Sequence, residues 1–129
     1  MAKTPGQTFF DQHVGDLMSG KLDNLVNEQY TEDAVMISPF DILDTPPPHI
    51  VRGREAIKNF LQKWLAYHGQ STFTSQSNFA ELADSVTFHA TMTSQTGNWM
   101  LGEAWHVVGG LPGGKIDRHY GFAYKISSS

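Results

Sequence analysis

The 129-residue chain contains no cysteine, which excludes disulfide frameworks, thiolate nucleophiles and cysteine-held zinc. It also lacks any basic run. Nine Lys and Arg against 13 Asp and Glu leave a net charge of −4, which argues against nucleic acid or an anionic membrane as partner. No stretch approaches the roughly 18 consecutive apolar residues of a membrane span. The segment Met1-Ala2-Lys3-Thr4-Pro5-Gly6 has no apolar core of the kind a signal peptide carries. The expectation is a soluble, cytoplasmic protein. Internal repeats are absent, and low complexity is confined to Ser127-Ser128-Ser129.

What is present suffices for one domain spanning residues 1–129. A chain of this length buries about two-thirds of the surface its unfolded form exposes, and 40% hydrophobic with 12% aromatic residues can fill the core that results. Thr4-Pro5-Gly6-Gln7 reads as a capping box with proline at the first helical position. Phe10, Val14, Leu17 and Met18 then recur at helical spacing, with His13 inside the stripe, and Gly20 ends the run. A short second helix puts Leu22, Leu25 and Val26 on one face. Val35-Met36-Ile37 reads as a strand closed by Ser38-Pro39. The stretch Phe40 to His49 holds Pro46-Pro47-Pro48, which fits neither helix nor central strand, and reads as a loop over one end of the fold. Gly53 opens a third helix with Ala56, Ile57, Phe60, Leu61, Trp64 and Leu65 on its apolar face, and Gly69 stops it. Strands follow at about Ser71–Leu82, Val86–Gln95, Asn98–Val108 and Lys115–Ile126, separated by Gly97 and by the Gly109–Gly114 turn. Helices first and a strand meander later make an α+β domain.

One spaced set of residues says more. It reads Gly20-x-Leu22-Asp23, Tyr30-Thr31-Glu32-Asp33-Ala34-Val35, Ser38-Pro39, Arg52-Gly53-Arg54-Glu55-Ala56-Ile57 and Gly114-Lys115-Ile116. In this order and spacing the chain resembles the nuclear-transport-factor-2-like superfamily, in its ketosteroid isomerase and small polyketide cyclase branches. The resemblance covers nearly the whole chain. It implies a cone-shaped fold with three N-terminal helices packed in the concave face of a curved mixed, largely antiparallel sheet, a pocket at the open end, and a homodimer formed through the outer sheet face. In the isomerases a carboxylate base precedes the first-strand proline, and here Ser38 stands there. A serine hydroxyl without assistance is no base near neutral pH, so Ser38 is expected to line the pocket without acting. The isomerase oxyanion tyrosine matches His13, and counting back from Gly114 matches its second oxyanion donor to His106. The cyclases carry a His-x-Asp on the last strand, where this chain has His119 and Gly121. Neither activity transfers intact.

Strand alternation puts Asp117, His119, Gly121 and Ala123 on one face of the last strand. Pairing Val108 with Lys115 would set His106 opposite Asp117 and Ala104 opposite His119, with Gly102 and Met100 on the same face. Directly opposed residues are close enough to hydrogen-bond. The expected catalytic set is therefore His119, Asp117, His106 and His13: Asp117 fixes a histidine tautomer, the histidine moves a proton, and His13 acts as donor to a carbonyl or hydroxyl. Ser38, Phe40, Phe60, Trp64, Met92, Ala104 and Gly121 are expected around a small hydrophobic ligand. Tyr30 and Asp33 read as structural, and Glu103 and Arg118 as charges of the outer face. Two function classes stay open. One is a cofactor-free enzyme of isomerase, cyclase or dehydratase type. The other is a non-catalytic small-molecule-binding or dimerisation module. A third, weaker option is a metal held by His13, His106, His119 and Asp117.

Overall fold

A computed structural model of the chain describes residues 3–38 and 49–127, the side chains of 75–78 and 127 apart. Three helices, α1 (Pro5–Met18), α2 (Leu22–Gln29) and α3 (Arg54–His68), are combined with six strands. The strands are β1 (Tyr30–Ser38), β2 (His49–Arg52), β3 (Thr72–Leu82), β4 (Ser85–Ser94), β5 (Gly97–Val108) and β6 (Lys115–Ser127). They form one sheet in the order β2-β1-β6-β5-β4-β3. Only the β1–β6 pair is parallel. The α+β class and the mixed, mostly antiparallel sheet expected from the sequence are both present.

Local signals account for most boundaries. Thr4 caps α1 by accepting the Gln7 backbone N–H at 3.2 Å. The box is only half made, because the Gln7 amide bonds Asp11 at 3.0 Å instead of reaching back. Glu81 of β3 completes the helix start, accepting from the Gly6 N–H at 2.9 Å. Gly53 sits at φ +88° directly before α3 and donates to the Ala34 carbonyl at 2.8 Å. A side chain there would be strained, since positive φ is costly for residues with a Cβ.

Two elements differ from the sequence reading. β1 begins at Tyr30, five residues before Val35, and His49–Arg52 is a strand paired with β1. A four-residue strand alternating His49 and Val51 inward with Ile50 and Arg52 outward is too short to stand out beside a proline run. Pro39, Phe40 and Pro46–Pro48 lie outside the described residues.

The core lies between the helices and one sheet face. Phe10 of α1 meets Phe88 of β4 edge-on at 4.7 Å between ring centroids, and His68 of α3 meets Trp99 of β5 at 5.4 Å. Leu25, Ile57, Met92, Trp105, Val107 and Ile116 are enclosed between them. No helix among the described residues is long and apolar enough to cross a membrane.

Candidate functional site

The decisive local feature is a break in the β5–β6 ladder. Val108 pairs with Lys115 as expected, and Val107 with Ile116, but His106 then pairs with Arg118 instead of Asp117. One extra residue on β6 is a β-bulge, and a one-residue slip sends every following side chain of the partner to the opposite face. From there Trp105 pairs with His119, Ala104 with Tyr120, and Glu103 with Gly121. Glu103 and Trp105 consequently share the helix-covered face with His119 and Gly121.

This corrects several expectations. His106 and Asp117 do touch, Nδ1 to Oδ1 at 2.5 Å, but on the outer surface, with the His106 side chain 48% exposed. The second imidazole nitrogen of His106 lies 3.5 Å from Asp84, in the turn between β3 and β4. Asp117 first, and then Asp84, hold the His106 imidazolium above its ordinary pKa despite slight desolvation. Ala104 faces outward as well, with Met100 and Gly102. Met92 is sealed in the core and does not border the cavity. Glu103, expected on the outer face, points inward. With His106 and Asp117 on the other side of the sheet, the proposed four-residue metal set does not converge.

His119, His13, Ser38, Phe60, Trp64 and Gly121 all line one cavity between the helices and the sheet, while Phe40 lies outside the described residues. The free space amounts to about 680 Å³ with the solvent at its mouth included, of which about 70 Å³ can take the centre of a water molecule. The cavity is therefore narrow. Its walls are mostly apolar, with Phe10, Phe73, Phe88 and Leu101 joining the residues named above.

One wall is polar. Tyr30 Oη lies 2.8 Å from His119 Nδ1, and His119 Nε2 lies 2.6 Å from Glu103 Oε1. The Trp105 indole N–H donates to the same Oε1 at 2.9 Å. Burial and the nearby Glu103 charge push the Tyr30 phenol well above its ordinary pKa, so it stays protonated. A protonated phenol donates to Nδ1, and the N–H on His119 Nε2 then donates to the carboxylate, with the Trp105 indole nitrogen 3.2 Å from the same Nε2. Burial alone would push the Glu103 carboxyl up. The charge and hydrogen bond of His119, then His13 and the Trp105 N–H, outweigh it and hold Glu103 below the usual carboxylate range. Both donors fall on Oε1, which leaves Oε2 without a protein partner among the described residues.

Gly121 permits this arrangement. A Cβ there would lie 3.7 Å from Glu103 Cγ and 3.8 Å from His119 Nε2, so a longer side chain would compete with Glu103 for the space beside the imidazole. The carboxylate beside His119 comes from the neighbouring strand, β5.

A second polar pair comes from the helices. His13 Nδ1 lies 2.9 Å from Gln29 Oε1, and Gln29 Nε2 donates to the Phe9 carbonyl at 3.1 Å. The His13 ring lies 4.4 Å from the Trp105 ring, centroid to centroid. Burial, with the charge of His119, pushes His13 down to about 4.

Comparison of the whole fold with solved structures gives consistent matches. A nuclear-transport-factor-2-like protein from Anabaena variabilis superposes with a TM-score of 0.72 at 14% identity, over 100% of this chain and 98% of that one. The chain has the nuclear-transport-factor-2-like fold. IdmH, a candidate polyketide cyclase from Streptomyces antibioticus, matches with a TM-score of 0.75 and 17% identity over 98% of this chain and 96% of its own. A candidate isomerase of the SnoaL-like family from Agrobacterium tumefaciens matches at 0.70 and 14% over 95% and 99%. No family model and no curated protein matches the sequence. Helices α1 and α3 carry His13 and much of the apolar cavity wall, and β5 and β6 carry Glu103 and His119.

The site residues that escaped the sequence reading are Glu103, Tyr30, Trp105 and Gln29. The signal for Glu103 and Trp105 was present in β5 itself. Leu101, Trp105 and Val107 alternate with Gly102, Ala104 and His106, and the bulky apolar set is buried while Ala104 and His106 are not.

Proposed function

We propose that this protein is an enzyme that moves a proton on a small hydrophobic molecule, of isomerase, cyclase or dehydratase type, with Glu103 and His119 as its acid–base pair. The observation carrying this reading is an ionised Glu103 held 2.6 Å from His119 in the wall of an apolar cavity. Taking a carboxylate out of water costs several kcal/mol before its partners are counted. A cavity that only had to hold an apolar molecule would be more stable with apolar side chains in that place.

The geometry supports a division of roles. Tyr30 and Trp105 hold His119 and Glu103 from either side, and so pre-orient them. Glu103 Oε2 takes a proton from an acidic C–H or O–H of the ligand and returns it to another atom. Return to a different carbon is isomerisation, and return to a departing hydroxyl is dehydration. His119 keeps its hydrogen bond to Oε1 as charge shifts along the pair. Phe60, Trp64, Ser38 and Gly121 serve as ligand-contact residues. The descriptions of the Streptomyces and Agrobacterium proteins belong to those proteins, and they support the reading through the shared fold.

The test uses 2-tetralone, a flat apolar ketone with acidic α-hydrogens, in deuterated buffer. Proton NMR follows replacement of the α-hydrogens. The protein is expected to accelerate exchange over buffer, and Glu103→Gln to reduce the acceleration by roughly two orders of magnitude or more. Binding of 2-tetralone with exchange no faster than buffer would instead identify a carrier, and would overturn the enzyme reading.

A further inference from the structure

The polar wall of the cavity carries hydrogen-bond acceptors whose neighbouring donors are already spent. We propose that His13 is a specificity-determining residue: its Nε2 accepts a hydrogen bond from the ligand, so the pocket selects molecules bearing a hydroxyl, as in a phenol or an enol, at the end facing α1. This rests on the pocket being the ligand site of the proposed enzyme, and adds the class of molecule it prefers.

The argument starts at Phe9, whose backbone carbonyl can only accept. The Gln29 side-chain atom 3.1 Å from it must therefore be the NH2 group. That fixes the other end of the amide, 2.9 Å from His13 Nδ1, as the carbonyl oxygen. An amide oxygen only accepts, so Nδ1 carries the hydrogen. A neutral imidazole with its hydrogen on Nδ1 has a lone pair on Nε2. Burial keeps the ring neutral at ordinary pH, with its pKa pushed down to about 4.

Nε2 makes no hydrogen bond to the described residues, and it does not belong to the buried, unsatisfied atoms of the structure. It is reached from the cavity that His13 lines. The donors nearby are committed: Tyr30 Oη to His119 Nδ1, His119 Nε2 and the Trp105 indole to Glu103 Oε1. Among the described residues, what remains open on this wall is Nε2 of His13 and Oε2 of Glu103, both acceptors. A ligand with a carbonyl there would set lone pairs against lone pairs and leave buried groups unsatisfied, which costs more than a missing contact. A hydroxyl completes the set. The expected donor role of His13 toward a carbonyl is thereby reversed.

Two measurements test the proposal. Long-range 15N–1H NMR of the free protein should show His13 with a protonated Nδ1 and an unprotonated Nε2. A proton on Nε2 would overturn it, with no variant or ligand needed. Titration with 2-naphthol and with 2-methoxynaphthalene, the same ring system without a donor, should show roughly tenfold tighter binding of the naphthol. In His13→Phe that preference should vanish while 2-methoxynaphthalene binds as before. Equal affinities in the native protein, a preference that survives in the variant, or no saturation by 2-naphthol at millimolar concentration would each count against the proposal. These readouts involve no turnover. If 2-tetralone binds without faster exchange while the naphthol preference holds, the acid–base reading falls and this inference stands.

Discussion

Lowering the pH from about 8 to about 5 should weaken this fold through two enclosed histidines, His13 and His68. Burial, with His119 adding to it for His13, pushes each from 6.5 to about 4. His68 is fully buried, with Nδ1 2.8 Å from Thr96 Oγ1 and 3.0 Å from Ser94 Oγ, and its ring is 4.7 Å from Trp64 and 5.4 Å from Trp99. Between about pH 4 and 6.5 the unfolded chain binds more protons at these sites than the folded one. Stability must therefore rise with pH through that window and fall as acid is added. At about pH 5 each histidine withdraws about 2 kcal/mol relative to pH 8, so the pair withdraws about 4 kcal/mol, a large share of a typical domain's stability. His106 acts in the opposite sense. Its pKa is raised by Asp117, so its contribution is present at low pH and lost as pH rises through the raised value, but nearly half of its side chain is in solvent and the contribution is small. Glu103, held below the usual range, adds a further loss only as pH falls through its lowered value. Urea denaturation followed by circular dichroism at several pH values measures the slope directly. His13→Phe and His68→Phe should each remove about half of the pH dependence, whatever they do to absolute stability. A native protein equally stable at pH 8 and 5, or variants with the native slope, would refute the reasoning.

Other outcomes follow from the faces of the sheet. His106→Ala should leave 2-tetralone exchange within about twofold of the native rate, because the residue lies on the outer surface. Its effect on stability at neutral pH should stay within about 1 kcal/mol by urea denaturation. The exposed row Tyr120, Phe122, Tyr124 and Ile126 on β6 supports the expected homodimer, which stands here as a proposal. Sedimentation at micromolar concentration should give a dimer for the native chain and a monomer for Phe122→Lys with Tyr124→Lys. A native monomer would refute it.

Most of the architecture was legible in the order of local signals. The Thr4-Pro5 start, the apolar stripe through Phe10, Leu17 and His13, the stop at Gly20, and the Gly53 entry to α3 are each set by a few neighbouring residues. These remain true wherever the helix is placed, because capping, periodicity and positive φ are properties of short segments. The resemblance along Gly20–Ile57 pointed to the same fold, and the solved structures agree with it. His13, His119, Ser38, Phe60, Trp64 and Gly121 were found at the cavity because their own elements place them there.

The carboxylate beside His119 was not legible in that way. Alternation placed His119, Gly121 and Ala123 of β6 on the inner face, although the outer face carries the bulkier Tyr120, Phe122, Tyr124 and Ile126. Which β5 residue stands beside His119 depends on register across two strands, and register turned on one extra residue at Asp117 and Arg118. A strand's side chains alternate with a period of two, so that single residue exchanged His106 and Ala104 for Trp105 and Glu103. By itself the sequence determined the three helices and the four later strands, the likeness to a pocket-bearing fold and the histidines of α1 and β6. Only the tertiary structure decided that Glu103 is the carboxylate beside His119: the alternation within β5 hints at its inward face, but which residue of β6 it meets depends on a bulge, a property of the strand pair.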